Sequence, residues 1–252
     1  MNKEKYLNRI NLSGELKPTL EVLKILQKAH LLSVPFENLD IHNNRPIELN
    51  IEQIFEKIVA NNRGGFCYEL NGLFYELLTS IGFNAKRISA RVFDKEKGYG
   101  HEFDHLAIIV NIDGSEYLTD VGFGEFAFAP LKLELNTLQN DQRGDFVIRK
   151  YDEQYFQVSK MVNGQSTPEY IFTKLERAFA DFNEMCLYHQ TNPNSHFTQK
   201  RLISLPNTKG RITITGNLLK IREEDSTTEL KLNDETDFHK KLWNYFKIKI
   251  EV

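Results

Sequence analysis

His101-Glu102-Phe103-Asp104-His105 matches the HExxH pattern by which zinc proteases are found, and Cys67 and Asp120 add residue types that could do thiol chemistry with His105. The zinc reading needs a helix, where residues i and i+4 stack on one face and two imidazoles share one ion. The flanks deny it one. Gly98 and Gly100 precede the run, and the β-branched stretch after it breaks at Asp113-Gly114, a strong hairpin signal. The run is therefore expected to open a strand. There His101 and His105 would share a face but stand about 13–14 Å apart, too far to chelate one ion. No metal is expected, which leaves His105 for another use.

Cys67 lies in RGGFCYELN, just ahead of apolar residues at Leu70, Leu73, Phe74, Leu77, Leu78 and Ile81, a helical spacing. It is thus expected in the first turn of a helix, where unpaired N–H groups and the positive dipole end favour the thiolate. Position alone suits a small core residue equally well. Gly64 and Gly65, which would let a backbone or ligand approach the sulfur, favour the chemical use.

The hairpin supplies partners. With a two-residue turn at Asp113-Gly114, Ile112 faces Ser115 and Ala107 faces Asp120. His105, two positions from Ala107, then shares a face with Asp120 at roughly 7–8 Å along the diagonal. A slip of one residue would separate them. Ala107 and Ile109 mark this face as buried, so Asp120 needs a partner. Two readings follow: a satisfied His–Asp pair in the core, or a set with Cys67 as nucleophile, His105 as base and Asp120 as orienter.

Other residues carry weaker signals. Gly122-Phe123-Gly124 could offer backbone N–H groups to a phosphate or simply form a tight turn. Cys186, beside Met185 and Leu187, reads as core, and most of the remaining histidines read as surface or packing. Arg63, next to the candidate nucleophile, needs a carboxylate, and Glu37 in VPFENLD is one candidate.

These residues must be positioned by a chain of 252 residues, 40 % hydrophobic and 12 % aromatic, enough for a sizeable core in one large domain or two to three lobes. A net charge of −3 gives no general attraction to nucleic acid or an anionic membrane, so the expected partner is a small molecule. The N-terminal stretch has no apolar signal region, no segment reaches the ~18 apolar residues of a membrane span, and there are only two cysteines. Together these point to the cytoplasm. The first third reads helical: Pro18-Thr19 and Asn50 open helices, and a third follows Gly64-Gly65 and ends at Gly82. From about Asn84 the period changes to two, with strands expected in KRISARVF, HLAIIVNI, EYLTDV, FVIRK and YFQVSK. A helical stretch, TKLERAFADFNEMCLYHQ, leads to the turn TNPNSHF, followed by short strands and a closing helix around Phe238 to Phe246.

Taken together, RGGFCYELNGLF, DHLAIIV, YLTDVGFG, VPFENLDIH and TNPNSHF resemble the arylamine N-acetyltransferase family, in the right order from residue 34 to residue 197. The resemblance implies an α+β fold: a helical bundle over residues 1–83, an antiparallel β-barrel with an interdomain helix over 84–190, and an α/β lid over 191–252. It implies a cysteine-protease-like triad at Cys67, His105 and Asp120, and ping-pong acetyl transfer from acetyl-CoA to aromatic amines and hydrazines. By motif match the acceptor pocket falls on Phe36 and Val92, with Phe123 nearby. The CoA cleft falls at Gly122, Phe123 and Gly124, with Ser195 and Phe197 of the SHF turn. Arg63 and Glu37 would pair beneath the site. The same order of Cys, His and Asp is shared by papain-like hydrolases and transglutaminases, so an amide hydrolase or amide synthase is the rival enzyme. CoA dependence separates the two.

Overall fold

In the computed structural model, which describes residues 1–224 and 226–250, the side chains of Thr19 and Asn50 start two helices as their types predict. Thr19 Oγ1 accepts the Val22 N–H, and Asn50 Oδ1 accepts those of Glu52 and Gln53. The N-terminal part comprises α1 (Lys3–Arg9), α2 (Leu20–Ser33), a short β1 (Phe36–Glu37), α3 (Leu39–His42), α4 (Ile51–Phe55) with a π turn over Glu56–Ala60, and α5 (Cys67–Ile81). Leu70, Leu73, Phe74, Leu77 and Leu78 of α5 are fully buried. Each contributes about 1.5–3 kcal/mol relative to exposure, an upper estimate. They share one core with Leu106, Ile108 and Val110, so the helix lies against the outside of the sheet that follows.

That sheet is antiparallel, in the order β6-β5-β4-β2-β10-β9-β8-β7, from β2 (Asn84–Asp94), β4 (His105–Ile112), β5 (Ser115–Thr119), β6 (Leu131–Lys132), β7 (Leu138–Asp141), β8 (Gly144–Lys150), β9 (Phe156–Val162) and β10 (Gln165–Glu176). The small strand β3 (Gly98–Tyr99) pairs with β2. Its ends nearly close into a barrel. The Gln139 amide exchanges hydrogen bonds with the Lys132 backbone at 2.8 and 2.9 Å, and the Asp141 carboxylate accepts the N–H groups of Phe128 and Ala129. Side chains thus do the pairing that two exposed edges would leave undone. Residues of β4 alternate: Ala107 and Ile109 enter the barrel core, while Leu106, Ile108 and Val110 face α5.

The C-terminal part is a five-stranded sheet in the order β1-β11-β12-β13-β14, with β11 (Leu202–Asn207), β12 (Gly210–Thr215), β13 (Leu218–Glu223) and β14 (Ser226–Lys231), backed by α8 (Glu235–Phe246). Strand β1, from the N-terminal part, pairs with β11 through Phe36 and Ser204, which ties the lid to the bundle. The helices α6 (Asn183–Thr191) and α7 (His196–Gln199) connect barrel and lid. Among the described residues no helix is long and apolar enough to cross a membrane.

Two sequence expectations are corrected. The stretch from Thr173 to Gln190 is not one helix: β10 runs to Glu176, a 3-10 turn covers Phe179–Phe182, and the helix starts only at Asn183. Pairing of Tyr170, Ile171 and Phe172 with β2, invisible to any local pattern, outweighs helix propensity there. Nor does His101 lie on a strand. Phe103 takes a positive φ of 63°, which turns the chain, and β4 begins at His105 itself.

Gly64 shows how tightly β1 and α5 are joined. A Cβ there would stand 2.0 Å from the Pro35 carbonyl oxygen and 2.8 Å from Glu37 Cγ. Gly64→Ala is expected to destabilise by ~1–3 kcal/mol, read as a lower denaturation midpoint. An unchanged midpoint would contradict this packing.

Candidate active site

Asp120 follows directly after β5 and is fully buried. Its Oδ1 accepts Asn71 Nδ2 at 2.8 Å and the backbone N–H groups of Gly122 and Phe123 at 2.9 and 3.0 Å. Its Oδ2 accepts His105 Nε2 at 2.6 Å and the Tyr170 hydroxyl at 3.1 Å. With donors on every side, the carboxylate holds the ring proton on Nε2 and leaves His105 Nδ1 as an acceptor. The hairpin register is the one read from the sequence, Ile112 opposite Ser115 and Ile108 opposite Thr119. The imidazole packs against the rings of both Phe123 and Tyr170, at 5.4 and 5.3 Å, and these two rings also touch each other at 5.2 Å.

Cys67 is the first residue of α5, 4 % exposed, and Asn71 lies one turn further on. Asn71 also donates to the Leu106 carbonyl and accepts the Val121 N–H, so one side chain links helix, β4 and the Asp120 loop. The close approach to Cys67 is made by Gly122, where a Cβ would stand 2.8 Å from Cys67 Cα. Gly64 and Gly65 do not open the way to the sulfur, as the sequence suggested; they face Pro35 and Glu69. The thiol also departs from expectation. Burial pushes Cys67 well above the ordinary thiol range, a hydrogen bond from the Leu106 backbone pulls the other way, and Asp104 and Asp120 reinforce the rise. The helix N-terminus alone does not make this cysteine a thiolate.

Arg63 and Glu37 pair at 2.8 Å, within a larger buried set. Arg63 also reaches Asp40 at 2.8 Å, and Lys57 bridges Asp40 and Glu69 at 2.7 and 2.8 Å. Burial alone would raise Asp40, yet Lys57 and Arg63 hold it below the usual carboxylate range. Glu69 in turn accepts the Phe66 N–H, and Glu37 that of Leu39. The set therefore fixes the start of α5 to β1 and α3. It lines a polar cavity of about 590 Å³, away from the sulfur.

Cys67 and His105 line another cavity, of about 400 Å³, together with Phe36, Val92, Gly122, Phe123, Gly124 and Phe197. Of the residues read from the sequence for donor and acceptor, only Ser195 is absent from its wall. Ser195 is buried, caps α7 and bonds His189 Nδ1 at 3.1 Å. Sequence reasoning missed several wall and support residues. His189, read as packing, lines the cavity with Nε2 3.1 Å from Asp104, and Asp104 lines it too. Asn71 had a signal, a polar residue at i+4 from Cys67 amid an apolar stripe; Tyr170 had none, because β10 reaches Asp120 only through the folded sheet.

Glu125 and Arg211 also line this cavity. Glu169 stands close by, and burial raises it to about 7, with Glu125 adding to the rise and Lys160 and Arg143 opposing it. A carboxyl whose folded value lies above its unfolded value of ~4.3 weakens the fold as pH climbs between the two, and fully above both. Glu169→Gln is therefore expected to raise the denaturation midpoint at pH 8 and leave it unchanged at pH 4. An equal gain at both pH values would contradict the assignment.

Comparison with known proteins places this geometry. The N-acetyltransferase family model matches residues 19–252. Arylamine N-acetyltransferase 1 of Homo sapiens is 31 % identical over 276 aligned residues, covering 100 % of this chain and 95 % of its own. The solved arylamine N-acetyltransferase of M. smegmatis superposes with a TM-score of 0.91 at 30 % identity, covering 99 % of this chain and 93 % of the other. That of Mycobacterium marinum in complex with CoA gives a TM-score of 0.89 at 30 % identity, covering 98 % and 93 %. A family model matched over most of the chain, and a relative of this identity matched over all of it, show that the chain belongs to the arylamine N-acetyltransferase family.

Proposed function

We propose that the protein transfers an acetyl group from acetyl-CoA to aromatic amines and hydrazines through acetyl-Cys67, with His105 as proton carrier and Asp120 as its orienter. The observation that carries this is a His105 ring whose Nε2 proton is committed to Asp120, on the wall of the cavity that also holds the Cys67 thiol. Burial disfavours a lone thiolate at Cys67. Transfer of the thiol proton to His105 makes the thiolate as one half of a close thiolate–imidazolium pair and not as an isolated charge, and Asp120 stabilises the imidazolium.

In the first half-reaction the Cys67 sulfur attacks the thioester carbonyl carbon, the carbon–sulfur bond to the donor breaks, and His105 returns the proton to the departing thiolate. One thioester becomes another, a nearly balanced exchange. In the second, the acceptor nitrogen attacks acetyl-Cys67, His105 takes its proton, and the Cys67 thiolate is expelled and reprotonated. The stable amide draws the sequence forward. Phe36, Val92 and Phe123 suit the aromatic acceptor, and Gly122, Gly124 and Phe197 give the donor's slender thioester arm a path to the sulfur. Arg63 and Glu37 support the site from below the helix. Ser195, expected at the donor, supports the wall through its bond to His189 and its cap on α7. The division into bundle, barrel and lid near residues 83 and 190 accompanies this reading, as does a cytoplasmic location, consistent with two unpaired cysteines.

Intact-protein mass spectrometry with acetyl-CoA and no acceptor is expected to show one added acetyl group on the wild type and none on Cys67→Ala. Aniline should discharge it. An adduct on both proteins, or on neither, would overturn the nucleophile. Asn71→Ala removes the bonds that hold α5 to the Asp120 loop and is expected to lower kcat/KM by ~10–100-fold with the fold retained. A rate within twofold of wild type would show that Asn71 does not position the site.

A further inference from the structure

Beyond the thiol and its partners, one wall of the reactive cavity is electrostatically unusual. Arg143, Lys160, Arg211 and Arg222 all converge on the single carboxylate of Glu125, at 3.3, 3.4, 3.3 and 3.2 Å. Glu169 and Asp141 also face the group, so four cations meet three carboxylates, one of which burial lifts to about 7. Positive charge is in surplus. Arg211 is the fixed member. It is 9 % exposed, donates to Ser204 Oγ at 2.6 Å and to the Gly124 carbonyl, and lines the cavity, and the contact it makes with Glu125 comes from its buried Nε at 3.3 Å. Burial, with Arg143 and Arg222 nearby, pushes Arg211 down to about 10, which means its neighbours leave that cation under-compensated. Glu125 is the movable member, with a side chain 41 % exposed and no helix or strand holding its backbone.

We propose that Arg211, on the wall of the cavity that Cys67 also lines, forms an anion-binding subsite with its cross-strand neighbour Arg222, occupied by Glu125 in the free protein and vacated when a substrate brings its own carboxylate or phosphate. The inference rests on the acetyl-transfer reading and adds a charge preference to it. An incoming anion takes over the cations that Glu125 releases, so they are not left uncompensated while the site changes hands. A planar guanidinium whose Nε already faces the Glu125 carboxylate suits an oxyanion of either kind. The anion has two possible sources in this reaction: a ring carboxylate on the acceptor or the phosphates of the donor.

The test uses the intact protein and two matched pairs: 4-aminobenzoate against 4-aminobenzamide as acceptors, and acetyl-CoA against S-acetylpantetheine as donors. For one pair, the ratio of kcat/KM for the anionic over the neutral member is expected to rise ~3–10-fold in Glu125→Gln and to fall by a similar factor in Arg222→Gln. The pair that responds identifies the source. If neither ratio moves by more than twofold in either variant, the subsite is overturned. Arg222 is half-exposed, so its replacement keeps the test open should Glu125→Gln fold poorly. Failure of the transfer reading looks different: Cys67 of the wild type would then gain no acetyl group from either donor. In that event thermal-shift titration with 4-aminobenzoate against 4-aminobenzamide, and with CoA against pantetheine, reads the subsite without turnover, and equal shifts within both pairs would overturn it.

Discussion

A buried carboxylate with five donors aimed at it is the constraint on which the rest of this structure depends. Asp120 is reached by a helix through Asn71, by two strands through His105 and Tyr170, and by its own loop through Gly122 and Phe123. Removing such a group from water is tolerable only if every lone pair is answered, and hydrogen bonds to a charged acceptor are worth ~1.5–3 kcal/mol each, without simple additivity. The same contacts that satisfy Asp120 also place Cys67. Asn71 sits one turn from it on α5, and Gly122 passes against its Cα. Orientation of the base and placement of the nucleophile are thus two outcomes of one hydrogen-bonded cluster.

A second buried cluster fixes the other side. Arg63 and Lys57 meet Glu37, Asp40 and Glu69 beneath the start of α5. Glu37 belongs to β1, which also pairs with the lid. The cavity therefore opens where three parts of the chain meet: β1 and α5 from the bundle, β4 from the barrel, and α7 with β12 from the lid. Each part contributes a wall that it could not hold alone. Removing one partner from a buried ionic set leaves an uncompensated charge, typically a loss of ~3–5 kcal/mol, so the architecture resists piecemeal change here.

Much of this was legible in the residues. Asp113-Gly114 dictated a two-residue turn, and that turn alone set the parity that brings His105 to Asp120. The apolar spacing after Gly65 located α5 and put Cys67 in its first turn. What escaped was whatever depends on pairing between distant segments. Thr173–Glu176 looked helical because the sequence does not show β2 lying alongside. Tyr170 and His189 reach the site only through the assembled sheet and lid. The thiol was misjudged for a related reason: the helix N-terminus is a local feature, but burial of Cys67 is a property of the whole packing, and it acts in the opposite direction.

The central claim is that His105, held by Asp120, makes a buried thiol reactive. The most direct measurement is the pH dependence of Cys67 alkylation by iodoacetamide in wild type and in Asp120→Asn. The account predicts that the wild-type thiol reacts well below the ordinary thiol range, whereas the variant, with its imidazole no longer held in the required tautomer, reacts only at high pH, as its burial dictates. Superimposable profiles for the two proteins would contradict it.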